Sequence, residues 1–343
     1  MSPSPPLSMH ELDVWRERAH AFQQQLQSVV LGMENSIHLL TISVFARGHT
    51  LLEGDVGVGK TTLLRSVARA IGGAYERVEG TIDLMPNDLI YHTYINESGK
   101  PQIDPGPLLR QEERLATFFF NEVNRARPQV HSLLLRVMAE QSVQAFNRQW
   151  QFPHLQVFAD RNRVERDETY NLPPAARDRF MLEIRVEIPA DSGLQKQLIF
   201  NPAFHQVDTL LKNIQEPILD YQALNAVAQA IQQQIKASDA VQDYALRLWE
   251  ATRQPAQAGV DLPDVDTRRL LLSGASPRGM SLLMRAARVL AWLQGRDYLM
   301  PEDIRDVFQP GIAHRLFFAP VYELRRETLA PLLIQQILQR VPV

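Results

Sequence analysis

The chain has 343 residues, 45% hydrophobic and 22% charged, with a net charge of -3; this is the balance of a soluble globular protein with room for two domains, and it gives no general pull toward phosphate backbones. The absence of cysteine excludes disulfides, thiolate nucleophiles and cysteine-ligated zinc. The opening "MSPSPPLS" has neither the basic nor the apolar region of a signal peptide, and no uncharged apolar run reaches about 18 residues, so a cytoplasmic protein without a transmembrane segment is expected.

Residues 1–8 are rich in Ser and Pro and are expected to be disordered. Leu12, Trp15, Ala19, Phe22, Leu26 and Val30 then recur at three- and four-residue spacing, which predicts an amphipathic helix with a core-facing stripe. "SIHLLTISVFARG" predicts a second helix, and "HTLLEG" a short buried strand ending at Gly54. Apolar residues return at helical spacing through Leu63, Leu64, Val67, Ala68 and Ile71, so the order is strand, glycine-rich turn, helix. Further strands are expected at Tyr75 to Val78, Ala116 to Phe120, Leu155 to Ala159 and Met181 to Ile188, alternating with helices as in a parallel sheet. Past Pro189 no strand is expected. Leu224 to Ile235 and Val241 to Trp249 predict two helices, a third runs from about Pro277 to Leu293, and Pro301 opens a fourth as an N1 proline. Gln254 to Asp266 reads as a flexible polar linker. The expected division is therefore an α/β nucleotide-binding domain over 9–189 and an all-α domain over 190–343.

"GDVGVGKT", Gly54 to Thr61, fits G-x-x-x-x-G-K-[ST] and sits between a strand and a helix, as a phosphate loop requires. Gly54, Gly57 and Gly59 would let backbone N–H groups, including those of Val56 and Val58, close around phosphates, with Thr62 following in the first helical turn. Lys60 would reach the β- and γ-phosphates of ATP, and the Thr61 hydroxyl would ligate Mg2+. Asp55 is an oddity, because its charge repels phosphate unless it points outward. In "LATFFFNEVNRARP" an apolar run delivers Asn121 and Glu122 to a strand end. Taken alone such a Glu is more often a solvated charge, but a phosphate loop upstream makes it the candidate that orients the attacking water. Asn121 occupies the place where an aspartate is usual for magnesium. "RDRF" offers Arg179 as an arginine finger, against the ordinary alternative of an ion pair.

"LLEGDVGVGKT", "FFFNEVNRARP", "FADRNR", "LPPAARDRF", "SGASPRG" and "GRDYLMPEDI" resemble, in order and spacing, the MoxR family of AAA+ ATPases, of the helix-2-insert clade. The resemblance runs from about Val30 to Arg315. It implies an AAA+ P-loop core followed by a helical lid, with Asn162 as sensor 1, Arg179 as a finger acting in trans and Arg278 as the sensor-2 arginine. It places Arg125 near a subunit interface, "YHTYINESGKPQID" in the insert hairpin and "SVQAFNRQWQFP" in a hairpin before sensor 1. It further implies a homo-oligomeric, hexameric ring that works with a von Willebrand factor A domain protein on a client enzyme complex, in a chaperone-like role such as cofactor or metal insertion. Asn121, Asp55 with Val56, and "DRNR" depart from the family's pattern; the first bears most on rate.

Two other readings compete. A nucleic-acid motor would want basic hairpins, yet these offer only Lys100 and Arg148. A nucleotide-binding switch with little hydrolysis would be consistent with Asn121. By charge alone, Asn121→Asp is expected to accelerate a slow ATPase.

Overall fold

In a computed structural model, residues 7–162, 170–214 and 217–343 are described. The disorder expected for the first residues therefore falls mainly outside them. Two helices, α1 (Met9–Gln27) and α2 (Glu34–Phe45), precede β1 (His49–Glu53), which leads through the glycine loop into α3 (Lys60–Ile71) and back to β2 (Ala74–Glu79). A hairpin of β3 (Tyr91–Ile95) and β4 (Pro101–Pro105) comes before β5 (Leu115–Asn121) and α4 (Pro128–Glu140). A second hairpin, β6 (Ser142–Ala145) and β7 (Arg148–Gln151), comes before β8 (Gln156–Arg161), α5 (Pro174–Arg177) and β9 (Phe180–Arg185). The rest is α6 (Ser192–Phe200), α7 (Val207–Leu211), α8 (Leu224–Gln234), α9 (Asp239–Arg253), β10 (Leu271–Ser273), α10 (Pro277–Leu293), α11 (Pro301–Ile312), β11 (Phe317–Phe318), α12 (Pro320–Glu323) and α13 (Arg326–Arg340).

The chain forms two compact units. One comprises Glu17–Ala176 and Ile184–Asn225, the other the N-terminal segment through Arg16, Arg177–Glu183 and Ala226–Val343. The first is built on a sheet in which β2, β5, β8 and β1 pair in parallel in that order. Every residue of β5 is buried, which is why Phe118, Phe119 and Phe120 run without alternation: a central parallel strand is covered on both faces. The order also puts the ends of β1, β5 and β8 side by side, at the edge where α/β sheets bind ligands. The two hairpins in this unit touch through Tyr91 and Phe146, whose ring centroids are 5.2 Å apart.

In the second unit, local chemistry sets the helix starts. Ser276 caps α10 by accepting from the Gly279 N–H at 2.9 Å, with Pro277 at the first helical position. The "GRDYLMPEDI" stretch is likewise a helix start: the buried Asp303 carboxylate accepts from the Met300 N–H at 2.7 Å and from Arg296 at 2.8 Å, tying the loop to α11. Two sequence expectations need correction here. Strands do occur beyond Pro189, because β10 and β11 form a small antiparallel pair; at three and two residues they are too short to show a period. Nor is 254–266 a free linker, since Val260 and Leu262 are buried and turn hydrogen bonds such as Gln257 N–H to Gln254 O (3.0 Å) shape it.

Candidate functional site

The site residues of the first unit are gathered by the strand order. Gly59 closes the loop in the left-handed region (φ 93°), a conformation that a side chain would strain, and α3 begins at the next residue. Asp55 and Val56 are exposed, so the Asp55 charge does point outward. Lys60 is only 6% exposed. Its ammonium donates to Gly54 O at 2.7 Å, Asp55 O at 2.9 Å and the Asn162 Oδ1 at 2.8 Å, which matches the three donors a lysine has.

Glu122 is the first residue past β5 and sits at φ 51°, a left-handed conformation uncommon for a residue with a side chain. Three hydrogen bonds hold it there. Its N–H donates to the Asp160 carboxylate at 2.6 Å; its own carboxylate accepts from Asn162 Nδ2 at 3.1 Å and from Arg125 at 2.8 Å. Gly80 lies directly against this turn: its N–H donates to Asn121 O at 2.7 Å, and a Cβ there would stand 2.2 Å from Glu122 O, so only glycine fits. Asn121 is buried and donates through Nδ2 to the Glu79 carboxylate.

Lys60, Asn162, Glu122 and Arg125 thus form one connected network, and Asn121 stands beside it. Asp160, which sequence reasoning did not single out, lies in it as well: one carboxylate oxygen holds the Glu122 N–H and the other is 4.0 Å from the Lys60 ammonium. Burial pushes Asp160 up to about 6, while the Glu122 N–H and Lys60 pull the other way. It remains mostly ionised at neutral pH.

Arg179 and Arg278 belong to the second unit. Arg278 is the second residue of α10 and pairs with Asp178 at 3.4 Å, while Arg179 follows Asp178 directly in the chain. Asp178 also accepts from Ser276 Oγ at 2.7 Å and from Arg315 at 3.3 Å. The segment carrying Arg179 is therefore anchored to α10 and to the residues after α11. Sequence reasoning missed Asp178 and Arg315; the signal available was an arginine directly before the apolar "LFF" run.

Comparison with known proteins agrees with this arrangement. Residues 49–182 match the ATPase family associated with various cellular activities (AAA), and residues 266–333 match the AAA lid domain. The chain is 57% identical to protein MoxR of Methylorubrum extorquens, over 96% of each chain, and 54% identical to protein MoxR of Paracoccus denitrificans, over 96% of this chain and 97% of that one. It is 32% identical to chaperone MoxR1 of Mycobacterium tuberculosis, over 92% of this chain and 80% of the relative. A solved structure of a candidate ATPase from Cytophaga hutchinsonii superposes with a TM-score of 0.81 at 27% identity, each chain covered to 97%. With a phosphate loop at the switch point of a parallel sheet, a helical lid sequence after it, and near-full-length relatives on both counts, the chain belongs to the MoxR family of AAA+ ATPases.

Proposed function

We propose that this protein is a chaperone-like ATPase that binds Mg2+-ATP at Gly54–Thr62, hydrolyses it in a hexameric ring and uses the cycle to remodel or activate a client enzyme complex, with a von Willebrand factor A domain partner. The name of the mycobacterial relative, a chaperone, supports the general role. The observation that carries the reading is the chain of contacts from Lys60 through Asn162 to Glu122. It links the group that would grip a phosphate to the group that would orient water. Two of the lysine's donors are engaged within the loop and the third by Asn162, so an incoming γ-phosphate has to displace at least one of them. Such an exchange would free Asn162 to reposition Glu122.

Magnesium fits the donor set. Thr61, Asn121, Glu122 and Asp160 offer hard oxygens. Among the described residues no three His, Cys, Asp or Glu side chains form an all-protein metal cage, and an ion held largely by phosphates and water needs none. When bound it would neutralise phosphate charge; Lys60 would do the same from the loop, Glu122 would align the water, and Arg278 would act from the lid. No helix among the described residues is long and apolar enough to cross a membrane. The exposed Tyr94, Ile95 and Ile103 on the β3–β4 hairpin favour a protein client over nucleic acid. A switch with little turnover has one observation in its favour, the neutral Asn121.

Lys60→Ala is expected to abolish ATP binding at millimolar nucleotide, read by equilibrium dialysis; retained binding would place the nucleotide elsewhere. The finger is tested separately. Mixing Arg179→Ala with Lys60→Ala subunits is expected to restore part of the ATPase rate, because an interface can then pair a sound loop with a sound arginine. Co-assembled subunits that show no recovery would exclude Arg179 as a finger in trans.

A further inference from the structure

The sheet register explains the asparagine. Parallel pairing sets Glu79 opposite Asn121 on one side, and the β5–β8 pairing ends at Phe120 opposite Ala159, so its next step brings Asn121 beside Asp160. The row across the three strand ends therefore reads acid, amide, acid. Residues level with one another in adjacent strands share a face, so the charges in such a row act on each other directly. Asn121 and Asp160 are 6% and 2% exposed, which leaves little water to screen them. The Asn121 amide meets this arrangement by donating to Glu79. An aspartate there would lose this donation and set a carboxylate against Glu79, which is half exposed and paired with Arg77 at 2.7 Å, with the buried Asp160 as a further charge alongside. Asn121 spares the row that added charge.

The missing charge has a replacement in Asp160. Its carboxylate bridges the region between the phosphate-loop lysine, 4.0 Å away, and the Glu122 backbone, 2.6 Å away. We propose that Asp160, at the end of β8, supplies the negative charge on the magnesium side of the phosphate loop, and that Asn121 is its neutral neighbour: the acid stands on β8 instead of β5. This rests on the ATP-site reading above. It also reverses the expectation drawn from charge alone, since Asn121→Asp by itself now overloads the row instead of repairing it.

The test is the magnesium dependence of nucleotide affinity in the full chain. A fluorescent ADP analogue is titrated into wild type, Asp160→Asn, Asn121→Asp and the double variant, in EDTA and in a magnesium series. The quantity compared is the ratio of affinity with magnesium to affinity without it. Asp160→Asn is expected to lower that ratio roughly tenfold, as loss of one nearby charge should. Asn121→Asp alone is expected to melt at lower temperature without raising the ratio. The double variant, which moves the acid back to β5, should return the ratio to within about threefold of wild type. A lysine partner or a backbone anchor would not produce that rescue. If Asp160→Asn does not fold, Asp160→Glu, with the carboxylate displaced by one methylene, should lower the ratio in its place. An unchanged ratio in the folded Asp160 variant, or a raised ratio in Asn121→Asp alone, overturns the proposal. If wild type binds no nucleotide with or without magnesium, the ATP-site reading fails first and takes this proposal with it.

Discussion

Replacing Arg315 with alanine is expected to destabilise the protein by about 3–5 kcal/mol, as removing one partner of a buried ion pair typically does. The guanidinium is fully buried. Its Nε donates to Asp178 Oδ1 at 3.3 Å, Nη1 to Met181 O at 3.1 Å and to Gly311 O, and Nη2 to Asp178 O at 3.1 Å and to Phe180 O. Burial pushes the group down to about 10 and Asp178 pulls it back up, so it stays cationic at neutral pH. Truncation would leave carbonyl acceptors without a donor and a cavity beside Gly279, where even a Cβ would come within 2.5 Å of the arginine chain. Thermal melting of Arg315→Ala and Arg315→Met separates the two costs. Methionine refills the space without the charge, so it should recover less than half of the loss. A fall below about 1 kcal/mol in the alanine variant would mean that water can replace the network. Because the anchored segment carries Arg179, the methionine variant should also show weakened ATPase while its phosphate loop is untouched.

Glu122→Gln is expected to slow hydrolysis by about 10²- to 10⁴-fold while ATP stays bound, the range typical of losing a positioned base. The amide can still accept from Asn162, but its nitrogen cannot accept from Arg125, which now donates to the carboxylate at 2.8 Å. The left-handed turn keeps two of its three holds, the Glu122 N–H to Asp160 and the donation from Asn162. The fold should therefore survive and the chemistry should not. Single-turnover assays with labelled ATP give the answer: nucleotide recovered from Glu122→Gln should remain ATP where wild type has made ADP. Turnover within tenfold of wild type would remove Glu122 from the water-orienting role and strengthen the reading of a switch.

The phosphate loop, the buried strand before Glu122 and the helix starts at Pro277 and Pro301 were legible in the sequence because each is specified within a few residues. A glycine that must take positive φ, an apolar run without alternation and a proline at a helix start are local chemistry, and their signals survive without knowledge of the fold. The meaning of Asn121 was not local. It depends on which strands lie beside β5 and in what register, and only the order β2-β5-β8 puts Glu79 and Asp160 on either side of it. Likewise Arg315 finds Asp178 at a separation of 137 residues, a pairing with no period to betray it. Short-range patterns decide elements; the charge that a buried polar residue must carry is decided by its neighbours in space, which tertiary structure alone assigns.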